Sequence, residues 1–195
     1  MVVARHKDSR WFRRVATASA LLFPLAIGIA SFGPVQAATI KVPAQAGSLA
    51  AAIAAASPGD VLQLASGVHA GSVVIDRTLT ITGRETSVID GGGTGSTVTI
   101  GAADVILRGI TIRNSGRELA TMDSGVFINK SGHRAIVENN RIEENLFGIY
   151  LWGPKNAKAR NNRIRGLQTT HVNSRGNGVS VWNSPGSVVE NNDIR

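Results

Sequence analysis

The sequence predicts an all-β chain, a right-handed, single-stranded parallel β-helix closed at its N-terminal end by a short capping helix. Three observations carry this expectation. One six-residue pattern recurs as Val137-Glu-Asn-Asn-Arg-Ile142, Ala159-Arg-Asn-Asn-Arg-Ile164 and Val189-Glu-Asn-Asn-Asp-Ile194, at spacings of 22 and 30 residues. A second series, Gly125-Val-Phe-Ile128, Gly148-Ile-Tyr-Leu151 and Gly178-Val-Ser-Val181, runs between its copies at spacings of 23 and 30. No helix-forming segment lies between the copies, so leucine-rich-repeat solenoids fit poorly. A strand that returns after so many residues cannot form a hairpin with its own copy. It stacks on that copy in parallel, each coil rising about 4.8 Å, and identical positions form columns.

In chain order, residues 1–37 have the layout of a cleavable export signal. Arg5, Lys7, Arg10, Arg13 and Arg14 precede an uncharged run from Val15 to Ala30, followed by Val35-Gln36-Ala37 as a small-residue exit. The run is short for a membrane anchor and holds Pro24. Val15-Ala16-Thr17 after Arg13-Arg14 is not the usual twin-arginine context, so general secretion fits better. This segment holds five of the 21 basic residues and one of the 13 acids. The remainder therefore carries 16 against 12, a net charge of +4 instead of +8. Such a mild excess gives no reason to expect nucleic-acid binding. Cysteine is absent, which rules out disulfide staples and thiolate metal sites.

Residues 38–60 are expected to form an N-terminal strand and the capping helix. Ser48–Ala56 is Ala-rich, with Leu49, Ile53 and Ala56 on one apolar stripe, Ser48 as N-cap and Pro58-Gly59 as the stop. A terminal coil exposes its core and needs such a cover. Residues 61–195 are read as coils. The first come from Val61–Leu64, Ser72–Ile75, Leu79–Ile81, Val88-Ile89 and Thr97–Ile100, with the turn Gly91-Gly92-Gly93. Among the repeats, Asn139/Asn161/Asn191 and Asn140/Asn162/Asn192 read as stacked side-chain ladders at one corner. Ile112, Ile142, Ile164 and Ile194 read as a core column, and Glu138/Arg160/Glu190 as charges paired up the stack. The repeat motif still open at Ile194-Arg195 leads us to expect the front part of a longer solenoid, with C-terminal coils missing.

Candidate chemistry sits where the repeats are uneven. From the Ile column to the next Gly strand there are 13 residues, then 6, then 14. Two insertions thus leave one corner two coils apart, about 10 Å by strand spacing. They carry Met122 and His171, a thioether and an imidazole that together suit copper(I). The plainer alternative is loop filler and a solvated histidine. His133 and His69 are read as turn residues. Trp152 and Trp182 occupy equivalent positions beside Tyr150, either as a partner-docking or sugar-stacking platform or as shields over Pro154 and Pro185. A polysaccharide lyase or glycosidase would need a pair or cluster of carboxylates. The acids here alternate with arginines, so no catalytic residue is assigned.

The wording of Val137–Gly153 (VENNRIEENLFGIYLWG), Asn161–Gly166, Arg175–Gly178 and Trp182–Gly186 resembles the NosD family, periplasmic β-helix proteins of nitrous oxide reductase maturation. The Ala-rich helix, Pro58-Gly59-Asp60, Leu79–Gly83 and Ile89–Gly93 agree, so the resemblance spans nearly all of 40–195. It implies a periplasmic accessory protein and not an enzyme. Its implied partners are an ABC transporter (ATPase and permease), a copper chaperone and nitrous oxide reductase, with membrane contact only through them. It also implies no stably bound cofactor, copper(I) being passing cargo, and it assigns no ligand residues. A carbohydrate-binding or polysaccharide-degrading β-helix is the rival.

Overall fold

The computed structural model describes residues 37–168, 171 and 175–195. The export-signal reading lies outside them except for Ala37. Strand β1 (Thr39–Val42) leads into the helix α1 (Ser48–Ala55). Six coils come next. Val61–Leu64, Gly67–Ala70 and Val73–Ile75 form the first (β2 to β4), and Thr80–Thr82, Ser87–Asp90 and Val98–Ile100 the second (β5 to β7). Ile106–Arg108, Thr111–Arg113 and Ser124–Ile128 are β8 to β10; Ile136–Glu138, Arg141–Asn145 and Phe147–Trp152 are β11 to β13. Lys158–Arg160, Arg163–Gly166 and Val179–Trp182 are β14 to β16, and Val188–Glu190 and Asp193–Ile194 are β17 and β18.

Each complete coil gives one strand to each of three parallel sheets. The first sheet runs β1-β2-β5-β8-β11-β14-β17, the second β3-β6-β9-β12-β15-β18, and the third β4-β7-β10-β13-β16. The solenoid expected from the repeats is therefore present, but it has three walls where the sequence displayed two series. The Val-Glu-Asn-Asn-Arg-Ile motif is not a single strand. It straddles the corner between the first two sheets, with β11 ending at Glu138 and β12 starting at Arg141.

That corner divides the two asparagine rows between two tasks. Asn139, Asn161 and Asn191 take left-handed backbone at φ 55°, 55° and 54°, joined by Gly109 at 72° one coil earlier. Asparagine tolerates this region better than most residues because its short amide bonds locally. Asn139, Asn161 and Asn191 are all exposed, so this row turns the chain and is not the expected ladder. The ladder is the next row alone. The Asn140 amide donates to Asn162 Oδ1 at 3.2 Å, and that of Asn162 to Asn192 Oδ1 at 3.0 Å.

The core fills the space between the walls. Ile112, Ile142 and Ile164 are fully buried in one column, which continues down to Ile89 and up to Ile194. Full burial of such a side chain contributes about 1.5–3 kcal/mol. At the foot of the column stands His69, in register with Ile89 and fully buried. This corrects the turn assignment. Position 69 faces inward because β3, which the sequence pattern did not reveal, alternates like its copies.

Helix α1 covers the first coil with Leu49, Ile53 and the following Ala56 buried. Its N-cap is Gly47, in left-handed conformation with no side-chain cap bond, so Ser48 is the first helical residue and not the cap. Charges behave differently on two walls. On the first sheet Arg160 pairs with Glu138 one coil below at 2.7 Å, as the interleaving predicts. On the second both patterns occur: Arg113 pairs with Asp90 one coil below at 2.8 Å, while Arg141 to Glu143 at 2.6 Å and Arg195 to Asp193 at 3.1 Å run along the strand.

Candidate functional site

The outer face of the third sheet gathers most of the aromatic side chains of the coils. Strict alternation puts Val126, Ile128, Ile149 and Leu151 inward, all fully buried. Phe127, Tyr150 and Trp152 are thereby turned outward. Phe127 and Tyr150 are register partners with rings 5.8 Å apart, and Phe147 meets Tyr150 edge-on at 5.3 Å. Trp152 lies 6.2 Å from Phe127 and stacks on its register partner Trp182 at 5.9 Å, with planes 20° apart.

Tyr150, Trp152 and Trp182 are thus brought together on one surface, extended by Phe127 and Phe147. The alternation around Val126 and Ile128 was the signal for Phe127. Trp152 is 36% exposed and Trp182, on the terminal strand β16, is 55% exposed. A depression of about 140 Å³ is lined by the two rings together with Lys130, Gly153 and Asn183.

This surface is electropositive. Segments 125–135, 147–157 and 178–187, which hold β13, β16, nearly all of β10 and the turns after them, contain no carboxylate. They contribute Lys130 and Lys155, both exposed; Lys158 follows on the first sheet, where Glu138 and Glu190 flank Arg160. The neighbouring Asp104 is engaged by Arg134, whose Nε and Nη2 donate to its two oxygens at 2.7 and 2.6 Å. That hydrogen bonding holds the Asp104 carboxyl below its usual range. His133 serves the same corner, its Nδ1 accepting the Lys155 N–H at 3.0 Å and so tying two coils together.

The two insertions join the second sheet to the third. Residues 114–123 link β9 to β10 and 167–178 link β15 to β16, whereas Leu146 alone separates β12 from β13. Asp123, buried, organises the first loop by accepting the Glu118 N–H at 3.1 Å and the Thr121 hydroxyl at 2.8 Å. Met122 is half-buried there at φ 57°, with Ser124 Oγ donating to its carbonyl at 2.6 Å. His171 is exposed on the second loop, of which residues 169–170 and 172–174 lie outside the described set. Among the described residues, no three His, Asp or Glu side chains are gathered as a metal site. No described helix is long and apolar enough to cross a membrane.

Residues 64–195 match the family described as right handed beta helix region. Two curated relatives are similar in sequence. One, from Pseudomonas aeruginosa, is 32% identical over 131 residues, covering 67% of this chain and 31% of the relative; it is described as a probable ABC transporter binding protein, NosD. The other, from Stutzerimonas stutzeri, carries the same description and is 32% identical over 133 residues, covering 68% and 30%. The chain thus spans about 31% of the length of the first relative. Among solved structures, a pectin methylesterase in complex with a hexasaccharide superposes with a TM-score of 0.56 at 20% identity, covering 81% of this chain and 54% of the enzyme. At that identity the likeness concerns the fold alone. The chain belongs to the right-handed β-helix family and is NosD-like in sequence.

Proposed function

We propose that this protein is a periplasmic accessory factor that works beside an ABC transporter in assembling the copper–sulfur centre of nitrous oxide reductase. The single observation that carries the proposal is the 32% identity over 131 residues with a relative described as a probable ABC transporter binding protein. The export-signal layout of residues 1–37 supports delivery outside the cytoplasm. A binding role also suits the charges, since Glu138, Glu143, Asp90 and Asp104 are each engaged by an arginine.

In this role copper(I) is cargo, handed between a copper chaperone and the reductase and not retained. Met122 and His171 are its candidate soft ligands on this chain. Tyr150, Trp152 and Trp182 form the candidate partner surface.

The test is deletion of the gene in the bacterium that encodes it, with purification of nitrous oxide reductase from the deletion strain. The expected result is a reductase deficient in copper and in nitrous oxide reduction, restored by a plasmid copy. A reductase fully loaded with copper in the deletion strain overturns the proposal.

A further inference from the structure

We infer that the aromatic face of the third sheet is a docking site for an acidic, extended segment of a protein partner, which packs an apolar side chain against the stacked Trp152 and Trp182. The inference deepens the proposed function, resting on it only for the expectation that a protein partner exists. Two independent features select this occupant. The first is charge. Lys130 lines the depression, and Lys155 lies on the turn after β13. The three sheet segments hold no carboxylate, and Asp104 is already bonded to Arg134. An acidic partner is therefore favoured and a basic one repelled.

The second feature is size and shape. Five strands of the third sheet span about 20 Å up the stack, and they are roughly 10–20 Å long. That face is much smaller than the roughly 800 Å² per partner of a standard interface between folded domains. An extended chain laid along the column fits it. The stacked indoles lie at the β13–β16 end of this face, and tryptophans are side chains that often anchor binding when water is excluded. The depression of about 140 Å³ is large enough to take one side chain.

The test uses the tryptophans as their own reporter. Of the three tryptophans, Trp152 and Trp182 are the two outside the leader, so Trp11→Phe full-length protein reports on this face alone. The probe is a Glu/Asp-rich peptide of about twelve residues, long enough to span the column, with a central leucine. Its lysine-rich counterpart and an oligogalacturonate are the comparisons. The acidic peptide should give a saturable blue shift that weakens as salt rises. Lys130→Glu with Lys155→Glu should weaken binding at least about tenfold, with unchanged circular dichroism. Trp182→Ala should abolish it when read from a labelled peptide.

Equal binding of acidic and basic peptides, or no saturable shift, overturns the inference. So does tighter binding of the oligogalacturonate, which would make the face a glycan site. A blue shift that grows with protein concentration alone would make it a self-association face and overturns it too. A failed peptide test beside a copper-deficient reductase in the deletion strain removes the docking site and leaves the proposed function standing.

Discussion

The side-chain oxygen of Asn162 accepts two hydrogen bonds from Asn140 in the coil below, one from its backbone N–H at 3.1 Å and one from its amide at 3.2 Å. Asn162 in turn donates to the Val137 carbonyl at 2.9 Å and to Asn192. The corner between the first two sheets would otherwise bury backbone groups that no strand satisfies. Asn162→Ala leaves these partners buried and unpaired, and should cost about 2–4 kcal/mol in urea unfolding monitored by circular dichroism. Asn162→Asp should be no better, since it keeps the acceptor but loses the donor and buries a charge.

One residue earlier the outcome reverses. Asn161 holds φ 55° with its side chain in solvent. Asn161→Gly should change stability by no more than about 0.5 kcal/mol. Asn161→Val should lose about 1–2 kcal/mol, because a branched Cβ crowds the left-handed backbone. Equal sensitivity of positions 161 and 162 in unfolding curves would show the two rows to be equivalent.

The repeats made the solenoid legible because a column needs only a recurring residue type at a recurring spacing. Ile112, Ile142 and Ile164 announced themselves this way. Which of two adjacent asparagines faces inward was not legible, since both are polar and the answer depends on where β11 stops. Strand alternation also fails at Glu144. Counting from buried Ile142 would place it inside, but it takes φ 56° and the register shifts between Glu143 and Asn145. Asn145 is buried instead and accepts the Ser115 N–H at 3.0 Å.

His69 was misplaced by sequence for a related reason: a histidine among glycine and valine gives no strand signal. Its Nε2 lies 2.9 Å from the Ala65 carbonyl, while its buried Nδ1 has no hydrogen-bond partner. An orphaned buried nitrogen costs about 1–3 kcal/mol. His69→Leu continues the aliphatic column, and the exposed Ala65 can turn its carbonyl to water. That variant should be equally stable or gain up to about 2 kcal/mol, whereas His69→Ala should lose about 2 kcal/mol or more to a cavity. Thermal unfolding of the pair separates them.

Asp90 gives the acid dependence a specific source. Burial alone pushes its carboxyl up. Hydrogen bonds from Asn114, the Gly92 N–H and Arg113 outweigh burial and hold it below the ordinary value. A carboxylate depressed in the folded state stabilises the fold above its unfolded value, near about pH 4, and that contribution fades as pH falls toward the folded one. Asp90→Asn should therefore be less stable than wild type at neutral pH. The difference should shrink below about pH 4. Unfolding midpoints across roughly pH 2.5 to pH 7, the span of carboxylate titration, check it; a constant difference would assign the loss to packing.

The aromatic face was partly legible, because Tyr150, Trp152 and Trp182 share a register that the repeats expose. Its electropositive border was not. Lys130 and Lys155 lie in turns whose closeness to the indoles depends on how tightly the coil returns to the first sheet. The Asp104–Arg134 pair joins residues 30 apart, a relation that only stacking creates.

Copper handling can be tested on the two insertion loops without the reductase. Met122 is held in its turn by Asp123, while His171 stands exposed on a loop leaving the same corner two coils later. A thioether favours copper(I) over zinc or magnesium, an imidazole also binds copper, and a site of so few ligands suits a cargo that must be released. In competition with a chromogenic copper(I) chelator, Met122→Ala combined with His171→Ala should weaken binding at least about tenfold, with each single change giving less. Asp123→Ala, which frees the turn but removes no sulfur, should fall between wild type and Met122→Ala. Copper(I) affinity unchanged in the double variant would place the cargo elsewhere on the chain.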